Sequence, residues 1–169
     1  MFGKKQPTPP WYIQILTRDL SVEGFADPDH IRLPNTPLNK PTGWQYSSVT
    51  LTQPRLVATG PFKLPVTTGI TFATALDKIV IYIPRDAASQ ANVTEQMRSD
   101  NAGLQAICFV GPYTVSGRLY PKADYLMFDT YCMVRDAQIT CPGNVSSWPG
   151  VSVPIALLHP TWLQGYLAL

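Results

Sequence analysis

His30 and His159 are the only histidines in the 169 residues, so a metal centre or an imidazole base has few candidates. A metal site needs convergent Cys, His or carboxylate ligands. The densest such group is Asp27-Pro28-Asp29-His30, which an Asp-rich turn also explains. His159 precedes Pro160 at a strand end and reads as a packed or turn histidine. Nucleophilic catalysis needs a Ser or Cys beside a base and an orienting group. No Gly-x-Ser-x-Gly elbow occurs, and Cys141-Pro142-Gly143 reads as a turn with nothing to lower the thiol pKa. Phosphate-cradling glycine spacings are also missing from the sequence. Asp77, Asp86, Asp124, Asp129 and Asp136 are scattered turn carboxylates, although a pair of them acting as acid and base keeps an enzyme among the alternatives. The sequence therefore assigns no catalytic, cofactor-binding or metal-binding residue and no cofactor.

Aromatic rings beside cations offer a different chemistry, because the bases of single-stranded nucleic acid stack on such rings. Tyr113, Arg118 and Tyr120, with Arg135 nearby, form the best candidate face, and the same residues suit an ordinary half-buried sheet edge. A net charge of +2, with Lys4-Lys5 as the only adjacent basic pair, does not favour nucleic acid as the partner. The charged fraction of 14% is the compositional anomaly, since soluble domains carry about 25%. A surface so poor in charge suits a chain that buries part of its exterior against protein partners or copies of itself.

No run approaches the ~18 apolar residues of a membrane span, and the basic residues near Met1 have no apolar stretch behind them, so neither a transmembrane segment nor a secretory signal is expected. Cys108, Cys132 and Cys141 are an odd count, which suggests reduced thiols and a cytoplasmic location. A Cys132–Cys141 disulfide across a turn is the alternative.

The elements that must position these residues are strands. Leu20-Ser21-Val22-Glu23-Gly24-Phe25-Ala26-Asp27-Pro28 aligns with Tyr113-Thr114-Val115-Ser116-Gly117-Arg118-Leu119-Tyr120-Pro121 at an offset of 93 residues, matching Val, Gly and Pro. Ile79–Pro84 aligns with Ile155–Pro160 at an offset of 76. This self-similarity implies two β units, residues 11–86 and 103–169, after a Pro-rich flexible arm at 1–10. Gly24 and Gly117 are expected at equivalent places, since a glycine within a strand marks a bulge or a close backbone approach. Leu33–Gly43, with three prolines, is an excursion. Strands are expected at Trp11–Leu16, around Val22 and Gly24, at Trp44–Leu51, Leu56–Ala58, Thr67–Leu76 and Lys78–Ile83. In the second unit they are expected at Ile107–Val110, Tyr113–Leu119, Tyr131–Val134, Ala137–Thr140 and Val151–Leu158, the last as buried partner of Lys78–Ile83. Residues 87–102 fit a linker or a short helix, and their place between the units favours the linker.

The expected fold is all-β: two tandem small SH3/Sm-like barrels or a pseudo-duplicated β-sandwich, with at most one short helix. The second unit resembles bacterial small-barrel domains of the SH3/Sm-like kind, through Tyr113-x-Val115-x-Gly117, Tyr125-Leu126, Phe128 and Asp136-Ala137-x-Ile139-Thr140 followed by an apolar strand. These residues specify a fold type, and the resemblance implies no activity.

Trp162, Leu163, Tyr166, Leu167 and Leu169 give the final segment more apolar area than a solvated tail carries. The segment is expected to dock, closing the second unit or filling a groove on a neighbour. The leading functional expectation is a non-catalytic structural or interaction protein within a larger assembly. A nucleic-acid-binding tandem barrel and an enzyme with a carboxylate site are the alternatives.

Overall fold

Alternating apolar and polar residues, broken by glycine and proline, produce ten strands and one helix in the computed structural model, which describes residues 8–28, 48–97, 102–120, 131–143 and 148–169. The first half holds β1 (Trp11–Leu16), β2 (Leu20–Ala26), β3 (Ser48–Ala58), β4 (Thr71–Ala75) and β5 (Ile81–Pro84). Helix α1 (Ala87–Gln96) follows. The second half holds β6 (Leu104–Val110), β7 (Tyr113–Tyr120), β8 (Cys132–Thr140), β9 (Val151–Leu158) and β10 (Leu163–Ala168). Asp29, His30, the Leu33–Gly43 excursion, Tyr125, Leu126, Phe128, Asp124 and Asp129 lie outside the described residues. No helix among the described residues is long and apolar enough to cross a membrane.

All ten strands belong to one antiparallel sheet in the order β10-β6-β7-β8-β9-β5-β1-β2-β3-β4. Each half, taken alone, runs fifth, first, second, third, fourth. The fold is therefore all-β as expected, but the sheet is open. The two halves are continuous in it, because the outer side of β5 is taken by β9, with Ile81 opposite Leu158 and Tyr82 opposite Leu157. That pairing joins Val151–Leu158 to the strand of Lys78–Ile83. It also corrects the 76-residue alignment, which matched two neighbours that occupy different places in their halves.

The 93-residue offset reappears in the hydrogen-bond registers. Ile13 faces Gly24 in the β1–β2 pair, and Ala106 faces Gly117 in the β6–β7 pair. Both glycines sit where the next pairing slips, between Glu23 and Phe25 and between Ser116 and Arg118. Across from them, Gln53 and Asp136 both adopt φ of 51°. A β-carbon on Gly117 would lie 2.6 Å from the Arg135 carbonyl oxygen, and one on Gly24 would lie 3.0 Å from the Thr52 carbonyl oxygen. These bulges bend β3 and β8 without ending them. Leu56–Ala58 is thus no separate strand: β3 passes through Pro54, which a bulge tolerates. In the same way, β8 spans both Tyr131–Val134 and Ala137–Thr140 apart from Tyr131 itself.

Alternation along the strands sends side chains into two cores on opposite sides of the sheet. Ile13, Ile15, Val22, Val49, Leu51 and Tyr82 belong to one, with Ile155 and Leu157 of β9. Cys108, Val110, Val115, Val134 and Ile139 belong to the other, with Ile81 and Ile83 of β5. Each half therefore completes its core with a strand of the other.

Residues 87–96 are helical where a linker was favoured. Asp86 caps the helix by accepting from the Ser89 amide at 2.8 Å, and its other carboxylate oxygen accepts from the Tyr12 amide of β1. Val93 and Met97, one helical turn apart, are buried in the first core and hold the helix down.

Candidate functional site: the free edges of the sheet

The expected interaction segment, 162–169, is docked at its start and open at its end. Trp162 is partly buried against the second core, and its indole Nε1 donates to the Asp77 carbonyl at 3.0 Å. Leu163 is buried in that core, so its side chain serves packing. From there β10 runs antiparallel to β6, and the Leu169 amide donates to Gln105 at 2.9 Å. Tyr166, Leu167 and Leu169 remain exposed.

The other end of the sheet is similar, a feature that reading the C-terminal segment alone misses. Among the described residues, β4 pairs only with β3, and the neighbouring Val57, Phe62, Val66 and Ile70 are exposed. Among the described residues, every large apolar side chain that is exposed lies on β2, β3 or the β3–β4 connection, or on β6 or the β10 segment. None lies on the central strands β1, β5, β9, β8 or β7. The edge strands themselves, Thr71-Phe72-Ala73-Thr74-Ala75 and Leu163-Gln164-Gly165-Tyr166-Leu167-Ala168, contain no charge and no proline. Those are the residues by which proteins ordinarily protect an edge from pairing with another chain. A scan of exposed apolar residues along β3 and the loop to β4 is the signal that points to this end.

The four residues proposed for nucleic-acid stacking divide between the sheet's two faces. Tyr113 is 1% exposed, in the second core. Its hydroxyl donates to the Thr17 carbonyl at 2.6 Å and accepts from Thr59 Oγ1 at 2.8 Å, tying the second half to the first. Arg118, Tyr120 and Arg135 share the opposite face. Arg118 stands across from Arg135, whose guanidinium carbon lies 5.2 Å from the centroid of the Tyr120 ring. Tyr120 packs over Gly103 (φ of 70°), where a β-carbon would come within 2.8 Å of the ring.

The remaining chemical groups do not converge among the described residues. No three of their His, Cys, Asp or Glu side chains gather as a metal site would require. Burial pushes the Cys108 thiol up to about 12 and the Cys132 thiol up to about 11. Cys132 and Cys141 stand at the start and just past the end of β8, so the strand separates them, and both are free thiols, as is Cys108. Cys141 donates instead to the Pro112 carbonyl at 3.3 Å. His159 is buried, its Nδ1 accepts from the Thr161 amide at 3.2 Å, and its ring meets Tyr131 edge-on at 4.8 Å. Desolvation holds its pKa below the ordinary histidine value, with Asp77 opposing. Asp77 lies beside Lys78 at 3.4 Å on open surface, and Asp86 is occupied as a helix cap. No family model, no curated protein and no solved structure matches this chain.

Proposed function

We propose that this chain is a non-catalytic structural subunit that builds a larger protein assembly, made of two SH3/Sm-like small-barrel units fused through the β5–β9 pair. The single observation that carries the reading is the pair of edge strands, uncharged and free of proline, with the exposed apolar side chains of the described residues gathered at both ends. Strand addition at such edges is a common route to stable assembly. The shared strand order of the halves, the common register and the matching bulges at Gly24 and Gly117 support the tandem-unit part. A second reading, binding of single-stranded nucleic acid, draws on Arg118, Arg135 and Tyr120 standing together on one face.

Light scattering and native mass of the full chain, run beside a salt titration of its binding to single-stranded RNA and DNA, separate the two. Assembly is expected, with no affinity that falls steeply with salt. A single-chain mass at every soluble concentration, together with salt-steep binding, would overturn the structural reading and favour the second.

A further inference from the structure

The junction between the two halves supplies a template for contacts between molecules. Within the chain, the fourth strand of the second half (β9) pairs antiparallel with the fifth strand of the first (β5). Among the described residues, the two strands without an outer neighbour are the fourth of the first half (β4) and the fifth of the second (β10). One edge of the molecule therefore presents the kind of strand that its opposite edge lacks.

The registers locate the correspondence residue by residue. Tyr82 pairs with Ile15 and Tyr166 pairs with Cys108, and Ile15 and Cys108 occupy matching places in β1 and β6. Tyr166 thus stands where Tyr82 stands, Gly165 stands for Ile81 and Leu167 for Ile83. On the other side, Ala73 pairs with Thr50 and Leu157 with Met133, which are again matching places. Ala73 stands for Leu157 and Thr74 for Leu158. At the internal junction these positions are covered: Tyr82 is 1% exposed and Ile83 is 0% exposed, whereas Tyr166 is 42% exposed and Leu167 is 54% exposed.

We infer that the partner is a second copy of this chain. The β10 strand of one copy adds antiparallel to the β4 strand of the next, with Tyr166 opposite Ala73 and Gly165 opposite Thr74, repeating the β5–β9 junction. The inference rests on the structural-subunit reading and specifies its partner and geometry. The small side chain of Ala73 leaves room for Tyr166, and Leu167 gains the cover that Ile83 already has. The contact is heterologous, so copies join head to tail and give a ring if the rotation closes or a filament if it does not.

The test uses the full chain and two variants at exposed edge positions, Ala73→Lys and Leu167→Lys, each placing an unpaired charge in the joint at one edge only. Circular dichroism and melting of each variant verify that the fold is kept. Light scattering should show a multimer for the unaltered chain and a single chain of 18.7 kDa for each variant alone. An equimolar mixture should give a species of twice that mass and no larger, because one sound β4 and one sound β10 remain to form a single joint. An unaltered multimer indifferent to both substitutions would overturn this geometry and leave the structural reading standing. The same holds if only one substitution acts, which indicates a contact between like edges. An unaltered chain that stays single at every soluble concentration would overturn both.

Discussion

Ile83 and Leu167 hold matching places in the two halves, yet one is sealed and the other is more than half exposed. Their own chemistry does not explain this, since both are large aliphatic side chains on a fifth strand. The difference is the neighbour: β9 and the core beneath it cover Ile83, and among the described residues no strand lies outside β10 to cover Leu167. Burial here is a property of the strand pairing, which is two-sided in the middle of the sheet and, among the described residues, one-sided at its ends.

The largest effect that can break this comparison is truncation at the paired positions. Ile83→Ala should destabilise the chain by about 2–5 kcal/mol, the usual range for removing most of a sealed aliphatic side chain. Leu167→Ala, measured at dilutions where the chain is single, should cost no more than about 0.5 kcal/mol. Denaturant unfolding of both variants checks the contrast, and equal losses would mean that Leu167 is covered as Ile83 is.

The bulge glycines sharpen the comparison between the halves. Gly117→Ala should cost about 1–3 kcal/mol, the range for overpacking, because the new methyl meets the Arg135 carbonyl at 2.6 Å and the backbone must move. Gly24→Ala should cost less, since its nearest contacts are at 3.0 Å. Thermal melting of the two variants ranks them, and the reverse order would show that the first bulge is the stiffer.

The smallest expected effect lies at His159. Its folded pKa is depressed, so the unfolded chain takes up its proton first as the pH falls. The contribution is complete above the unfolded value of about 6.5 and is lost as the pH drops through that value toward the folded one. The melting temperature should therefore decline from pH 7 to pH 5, and His159→Gln should flatten that part of the profile.

Much of the architecture was legible because glycine positions are set by backbone geometry. Gly24 and Gly117 were matched by spacing alone and occupy the same place in the ladder. Pro54 and Asp136 misled in the same way twice. A proline and an aspartate are ordinary strand breakers, but within a bulge they bend a strand that continues. The 76-residue alignment failed because Ile79–Pro84 and Ile155–Pro160 are both apolar for the same local reason, being buried on two faces at the junction. The true counterpart of β5 is Leu163–Ala168, which differs in composition and stands at the rim of the described sheet. Strand parity was the signal overlooked in the stacking face: Tyr113 is an odd number of residues from both Arg118 and Tyr120, so along β7 its side chain points to the other face from theirs. At the candidate edges, the apolar C-terminal segment could be read directly. The β4 end could not, since Thr71–Ala75 looks bland until the sheet order leaves it at the rim.

The exchange of strands between the two cores also fixes an order of events during synthesis. When translation has produced β1 to β5, Ile81 and Ile83 lack most of their cover, because apart from Leu16 and Val80 the core that seals them is built from residues of the second half. The nascent first half is thus held unfinished until β9 emerges, and its long-range pairing makes that wait slow. During the wait, the β9 strand of a neighbouring chain fits the same place as its own. Strand exchange between molecules is therefore expected to rise with concentration during refolding and to fall on dilution.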